Sequence, residues 1–189
     1  MDSADVAAAP RELLTPRLLL SAPRPEFAPV FLDSLLTSLP VLGHVAWAHQ
    51  RLDTEWARRF MRGDLGVVER GEVLVFYAFE RDSGAYVGRV DLHSWDFEAP
   101  RCEVGYAGDA RMAGRGLMRE AVLACVELAF KLGAARVQAL SDIENTRAVH
   151  FAEHALGFTR EGVLRHYERD ARGRLGRQVM FAAYNESAT

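Results

Sequence analysis

The sequence predicts an α/β (α+β) fold in which a mixed, mostly antiparallel sheet is flanked by helices, in the order βααβββαβαββ. Short segments rich in Val, Phe and Tyr alternate with amphipathic helical patterns, and three of these segments follow one another with only short connections between them. No repeat or linker divides the 189 residues. We therefore expect one domain at 13–184, with a flexible tail at 1–12 and a C-terminal tail at 185–189.

The first half of the chain predicts one strand followed by two helices. The strand lies at 17–22, and the helix after it ends before Pro40, because proline cannot continue a helix. A loop with a short helical piece is expected at 41–49. Asp53 or Thr54 can then cap the second helix.

The second half of the chain is mostly strand. A helix with an apolar face begins near Leu117 and ends at Gly133, and a shorter helix lies between Asn145 and Leu156. A turn is expected at 170–173. Strands are predicted at 72–80, 86–93, 101–107, 136–140, 158–168 and 175–184.

Composition excludes several classes of protein. With a formal net charge of −3, the chain lacks the overall positive charge that would bind nucleic acid or an anionic membrane. Two cysteines, Cys102 and Cys125, do not make a disulfide framework, and no run approaches the roughly 18 apolar residues of a membrane span. The start of the chain is acidic, where a signal peptide is basic. We expect a cytoplasmic protein with no nucleic-acid or membrane partner.

The segment Arg111-Met112-Ala113-Gly114-Arg115-Gly116 opens the helix and predicts an anion site. Glycines allow a ligand close to the backbone, and the unpaired N–H groups of a first helical turn favour phosphate. Two known phosphate loops do not fit: a Walker loop lacks its Lys-Ser/Thr pair, and a dinucleotide fingerprint has Arg119 where Gly or Ala is needed. On this segment alone, a glycine turn that only starts a helix is an equal alternative.

Neighbouring segments add a resemblance to a known family. The order R-x-x-G-x-G after the strand Cys102-Glu103-Val104-Gly105-Tyr106 resembles the acetyl-CoA pyrophosphate loop of the GNAT acetyltransferases. Other segments, in the same order along the chain, resemble the Rim-type (RimJ/RimL-like) branch, which acetylates protein N-termini. These segments are 14–18, 102–106, Asn145, 157–158 and 161–165. The resemblance extends over 13–184.

The resemblance implies an acyltransferase that moves an acetyl group from acetyl-CoA to a primary amine by direct attack in a ternary complex, releasing CoA. The amine is left open among a protein N-terminus, an amino acid and a small amine. The family separates two central strands beside a bulge, and residues 105–108 occupy that place, with a plain tight turn as the alternative. The implied cofactor-binding residues are Tyr106, Ala107, Gly108, Arg111, Met112, Ala113, Gly114, Arg115, Gly116, Leu117 and Asn145.

Glu103 is the best candidate for the base that takes a proton from the amine. On a strand it shares a face with Gly105, which puts it beside the expected cleft, although an ordinary surface glutamate is equally open. Asp91 and His93 share one face of the preceding strand and are reserve candidates. For the departing thiolate, many relatives have a Ser where this chain has Ala148, so water or the hydroxyl of Tyr106 is the candidate acid.

Four further points remain at this stage. The segment 150–154 fits the zinc pattern H-x-x-E-H, but it lies where the family has its cofactor-flanking helix, so we expect no metal. Asn145 is also explained as a helix cap. A non-catalytic CoA-binding module and a transferase for another acyl-CoA are the alternative functions. The sequence leaves open whether the chain forms a homodimer.

Overall fold

In the computed structural model of the protein, residues 2–41, 51–169 and 174–188 are described. The predicted loop at 41–49, apart from its first residue, and the predicted turn at 170–173 lie outside them. The strands are β1 (Glu12–Leu14), β2 (Leu18–Ser21), β3 (Leu74–Glu80), β4 (Tyr86–Asp96), β5 (Arg101–Gly108), β6 (Arg136–Asp142), β7 (Thr159–Arg169) and β8 (Leu175–Tyr184). The α-helices are α1 (Ser3–Ala7), α2 (Ala28–Ser38), α3 (Thr54–Glu69), α4 (Leu117–Lys131) and α5 (Thr146–His150).

The eight strands form one sheet in the order β1-β2-β3-β4-β5-β6-β8-β7. Among the pairs of the described strands, β5 and β6 alone are parallel, and the others are antiparallel. From β2 onward the element order agrees with βααβββαβαββ. The predicted mixed, mostly antiparallel α/β fold is therefore confirmed.

Helices cover both faces of the sheet, and alternate residues of β3 show how the two cores arise. Leu74 and Phe76 belong to the core that β3 shares with α4, and Val75 and Tyr77 to the core it shares with α2 and α3. All four are buried, because successive side chains of a strand point to opposite faces. None of the helices in the described ranges is long and apolar enough to cross a membrane.

The beginning of the chain differs from the prediction. Residues 1–12 were expected to be a flexible tail, but α1 forms there and the side chain of Val6 is fully buried in the core. Asp2 caps this helix, and Ala7 packs so closely on Gly71 that a Cβ there would lie 2.8 Å from the Cβ of Ala7. The prediction is wrong because a helix of five residues is too short to show a hydrophobic period in the sequence. Burial of the Val6 side chain holds this helix in place.

The helix expected to run to Leu156 also differs from the prediction. It is α-helical only to His150 and continues as a π-helical turn, Phe151–Ala155, in which the N–H of Leu156 bonds to the carbonyl of Phe151 at 2.9 Å. Gly157, with φ of +74°, follows the turn. The wider π turn brings Phe151 against the central strands, where it contributes to the site described below.

Candidate active site

The glycine-rich segment forms an open turn at the start of α4. Gly114 and Gly116 have φ of +77° and +72°, and Gly116 is the N-cap residue of α4. No heavy atom lies within 4 Å of where a Cβ of Gly114 would be. The first N–H groups of a helix have no partner inside the helix and carry partial positive charge. The turn therefore presents bare backbone N–H groups in front of open space.

Side chains that precede β2 hold this turn in place. The guanidinium of Arg17, next to β2, donates to the carbonyl of Arg115 at 2.9 Å and to the carboxylate of Glu120 at 2.6 Å. Thr15 donates to the same carboxylate at 2.6 Å. Burial raises the pKa of Glu120, but the hydrogen bonds from Thr15 and Arg17 outweigh it, and the pKa lies below its ordinary value. The turn is thus fixed before any ligand arrives.

Two of the arginines around the turn are occupied by ion pairs. Arg111 lies 2.6 Å from Asp109 and 2.8 Å from Asp33, and Arg115 contacts Glu80. Burial raises the pKa of Asp109, but the bonds from Arg111 outweigh it and keep its carboxylate charged. Neither arginine lines the cavity beside the turn. The cations that line the cavity are instead Arg119 and Arg147.

The central strands β5 and β6 separate beside the turn. They pair at three positions only, Arg101 with Arg136, Cys102 with Val137 and Glu103 with Gln138. Beyond Glu103, β5 continues beside β4 and β6 continues beside β8, so a gap opens between them.

The orientation of the β5 backbone follows from its pairing with β4. Asp109 donates its N–H to Val87 at 2.9 Å, and in an antiparallel pair alternate residues face the partner. The N–H groups of Tyr106 and Gly108 consequently point into the gap. The register is regular from Gly105 to Gly108, so the bulge expected in this strand is absent from the described pairing.

A cavity of about 340 Å³ runs from the gap to the glycine turn. All the residues predicted to bind the cofactor line it, except Arg111 and Arg115. Sequence reasoning missed several other lining residues, which come from α4, α5 and the π turn: Met118, Arg119, Arg147, His150 and Phe151. The helical spacing of Arg147 and His150 after Asn145 was the available signal, because positions three apart lie on one helix face.

Tyr106 lies in the wall of this cavity. Its ring packs edge-on against Phe151 with 5.2 Å between centroids. Burial raises the pKa of Tyr106 to about 12, an effect that the hydroxyl of Ser141 partly offsets. The phenol is therefore protonated at neutral pH and can act as a donor.

Asn145 has a structural role and a position in the cavity. Its side-chain oxygen accepts the N–H of Ala148 at 3.1 Å, which makes it the cap of α5. Asn145 and Ala148 both line the cavity. The two roles proposed for Asn145 are thus compatible.

Glu103 lies on the opposite face of the sheet, at the last rung before the strands separate. Gln138 donates to its carboxylate at 3.3 Å, and the Nε2 atom of His93 lies 3.9 Å from it. The same Nε2 atom lies 3.5 Å from the carboxylate of Asp91. The three candidate proton acceptors are thus brought together around Gly105, whose Cβ would lie 2.8 Å from Asp91.

A buried ion network contacts these three side chains through Asp91. Arg89 donates to both carboxylate oxygens of Asp64, at 2.8 and 3.0 Å, and also contacts Asp91. Tyr77 donates its hydroxyl to Asp64 at 2.6 Å. Burial lowers the pKa of Arg89, but Asp91 and Asp64 outweigh it, and the pKa lies above its ordinary value. The guanidinium therefore stays charged although it is buried.

The two histidines of the H-x-x-E-H pattern lie close together. Their ring centroids are 4.6 Å apart, with His150 at the end of α5 and His154 in the π-helical turn, and His150 lines the cavity. Within the part of the chain that the structure describes, no three His, Cys, Asp or Glu side chains are grouped so as to hold a metal ion.

The fold is similar to solved acetyltransferase structures. Microcin C7 self-immunity acetyltransferase MccE, in complex with acetyl-CoA and AMP, superposes with a TM-score of 0.84 at 17% identity, covering 95% of this chain and 99% of that chain. RimL, the ribosomal L7/L12 alpha-N-protein acetyltransferase in complex with coenzyme A, gives 0.81 at 18%, covering 93% and 98%. The ribosomal-protein-S5-alanine acetyltransferase from Vibrio fischeri gives 0.75 at 18%, covering 94% and 98%.

At these identities the likeness concerns the fold. Curated protein sequences contain no match to this chain. The family model of the acetyltransferase (GNAT) domain, in contrast, matches residues 17–159, which is most of the chain. The predicted family is confirmed: the chain belongs to the GNAT acetyltransferases.

Proposed function

We propose that the protein is an acetyl-CoA-dependent N-acetyltransferase that transfers the acetyl group to a primary amine by direct attack in a ternary complex. The observation that carries this proposal is the gap between β5 and β6, which joins the glycine turn through one cavity. Acetyl-CoA supplies the activated thioester. The chain itself has to anchor the diphosphate, bind the thioester oxygen and remove a proton from the amine.

The residues of the cavity fit a CoA diphosphate. Gly114 leaves open space over the turn, and the N–H groups at the start of α4 can donate to phosphate oxygens. MccE and RimL were solved with acetyl-CoA and with CoA, and both have this fold. Together these features support acetyl-CoA as the donor.

The gap supplies backbone donors for the thioester oxygen. The N–H groups of Tyr106 and Gly108 point away from β4 into the cavity, and such donors stabilise the negative charge that develops on the oxygen. They are held by a strand paired on its other edge, so little reorganisation is needed when the charge appears. On the cavity side, Tyr106 can protonate the departing thiolate.

Direct attack is favoured because the chain offers no thiolate to carry the acetyl group. The two cysteines, Cys102 and Cys125, are fully buried. Burial raises the pKa of Cys102 to about 12, and it raises the pKa of Cys125 further. An amine is mostly protonated at neutral pH, and Glu103 beside the gap is the proposed base.

Two acceptor classes are suggested by the similar structures. RimL is described as acting on the ribosomal protein L7/L12, and MccE as a self-immunity enzyme for microcin C7. The acceptor of this protein is accordingly proposed to be a protein N-terminus or a small amine, in the cytoplasm, where two reduced cysteines are expected.

Binding and turnover can be tested separately. CoA binding is measured by calorimetry, and thiol release from acetyl-CoA is then followed with N-terminal peptides, amino acids and small amines. We expect CoA binding and amine-dependent thiol release that Glu103→Gln strongly reduces. Binding without release from any amine would favour the non-catalytic module, and release with only a longer acyl-CoA would favour the other acyl donor. Absence of CoA binding would refute the proposal.

A further inference from the structure

One of the three groups around Gly105, the carboxylate of Asp91, is bound by Arg89, a buried cation that does not line the cavity. We propose that Arg89 is a positioning residue for the reaction, acting through Asp91 on a proton relay formed by Glu103, His93 and Asp91. This inference rests on the proposed function, because the relay has a purpose only if a proton must leave an amine. Arg89 itself contacts neither substrate.

The first step is the arrangement of the three groups. Asp91 lies opposite Gly105 and His93 opposite Glu103 in the β4–β5 register. The Nε2 atom of His93 lies between the two carboxylates, 3.9 Å from Glu103 and 3.5 Å from Asp91. Within the described residues these are the two charged groups at ion-pair distance from His93, one from β5 and one from its own strand. Catalytic hydrogen bonds are often long before substrate binds, so a small ring rotation suffices.

A local distortion of β4 orients the ring of His93 toward the two carboxylates. The β4–β5 register shifts between His93 and Asp96, and Ser94 has a positive φ of 53°. The hydroxyl of Ser94 lies 2.9 Å from the Nδ1 atom of His93. A bulge re-aims side chains, and a non-glycine residue with positive φ is strained unless its surroundings hold it there. The strain and the Nδ1 contact fix the ring with Nε2 toward the carboxylates.

The second step is the clamp on Asp91. The planar guanidinium of Arg89 binds Asp64 through two nitrogens and Asp91 through the third. Asp64 is in turn fixed by the hydroxyl of Tyr77. A compact ammonium could not reach both carboxylates at once, so Arg is required at position 89. Arg89 binds one oxygen of Asp91, Oδ1, and the other oxygen, Oδ2, faces Nε2 of His93.

The proton balance follows from these contacts. The acceptor ammonium gives one proton to the carboxylate of Glu103, which leaves a neutral amine. Glu103 passes that proton to Nε2 of His93, and Asp91 stabilises the resulting imidazolium, whose half-exposed ring releases the proton to water. The amine nitrogen then forms its bond to the acetyl carbon as the carbon–sulfur bond breaks. The departing thiolate takes a proton from Tyr106 or from water. The nitrogen then loses its second proton, which returns to that acid.

The coupling within the relay can be measured without turnover. The imidazole resonances of His93 are followed by NMR in the full-length protein and in Asp91→Asn and Glu103→Gln. Each substitution changes a carboxylate that lies 3.5 or 3.9 Å from Nε2, so we expect each to move the Nε2 resonance. A resonance that either variant leaves unchanged would overturn the relay, whether or not an acceptor has been found.

Kinetics then test the role of Arg89. For Arg89→Met we expect kcat to fall about 100-fold and the acid limb of the pH profile to move up by about one unit, with CoA affinity unchanged. Arg89→Lys should recover part of kcat and restore the limb. Arg70→Met, which breaks an ion pair with Glu72, is the control and should keep the wild-type profile.

The outcomes separate the two proposals. If Arg89→Met does not fold, Arg89→Lys decides, because a wild-type kcat in that variant contradicts the clamp. An equal loss of kcat at every pH in Arg89→Met, with no movement of the limb, assigns Arg89 a structural role and also refutes the inference. A wild-type protein that turns over no amine refutes the proposed function instead, and the NMR resonances of His93 still report on the relay.

Discussion

Replacing Gly114 by alanine separates ligand binding from folding, because the chain contains a matched glycine elsewhere. Gly114 and Gly84 both have a positive φ, +77° and +69°, and a Cβ at either position meets no heavy atom within 4 Å. The two substitutions therefore cost the fold the same kind of strain and no clash. Gly114 lines the cavity, whereas Gly84 lies in the turn between β3 and β4.

The expected magnitudes differ between stability and binding. A left-handed conformation costs a residue with a Cβ about 1 kcal/mol, which lowers the unfolding temperature of a chain of this size by about 3 °C. Both variants should show this loss. At Gly114 the added methyl group also keeps a phosphate away from the N–H donors, and one lost bond to a charged group is worth about 2 kcal/mol, or more than tenfold in Kd.

Two measurements check this prediction. Thermal unfolding without ligand should give similar temperatures for Gly114→Ala and Gly84→Ala. Calorimetry with CoA should give a raised Kd for Gly114→Ala alone. If the two variants bind CoA equally well, the diphosphate does not lie on this turn, and both the cofactor site and the function proposed from it are wrong.

Three other predictions concern the opposite face and the edge of the sheet. Glu103→Gln should lower kcat with an amine about 100-fold, and a matching loss of CoA affinity by calorimetry would contradict its role as base. Gly105→Ala places a Cβ 2.8 Å from Asp91, so we expect lower activity together with a lower unfolding temperature; an unchanged kcat would contradict the packing of Asp91 on this strand. Arg136 lowers the pKa of Glu161 from 4.5 to about 2, so the stability from this pair is complete above pH 4.5 and is lost as the pH falls through 2. The difference in unfolding temperature between wild type and Glu161→Gln should shrink over that range, and a constant difference would refute the assignment.

The geometry of the candidate donor site could be predicted from the sequence because its parts are local. The glycine turn, the strand before it and the cap at Asn145 are each written within a few consecutive residues, and their special dihedrals require particular residue types. The alternation of β5 likewise separated Glu103 from Tyr106 onto different faces, as the structure has them. The ion pairs of Arg111 and Arg115 were less readable, because Asp109 is close to Arg111 in the sequence but Asp33 and Glu80 are far away.

The ion network beside the candidate base could not be predicted, because most of its contacts join residues that are far apart in the sequence. Arg89 and Asp64 are 25 residues apart, on a strand and a helix, and nothing in either segment indicates that they meet. A buried guanidinium is tolerated only when carboxylates satisfy it, and one of the two that do so here comes from α3, so its position depends on the packing of the sheet against α3. Such a network is costly unless complete, and removing one partner leaves a buried charge unpaired. In the structure the network reaches the candidate base through Asp91 and His93, and this continuity is the reason for proposing that it serves the proton transfer and not the fold alone.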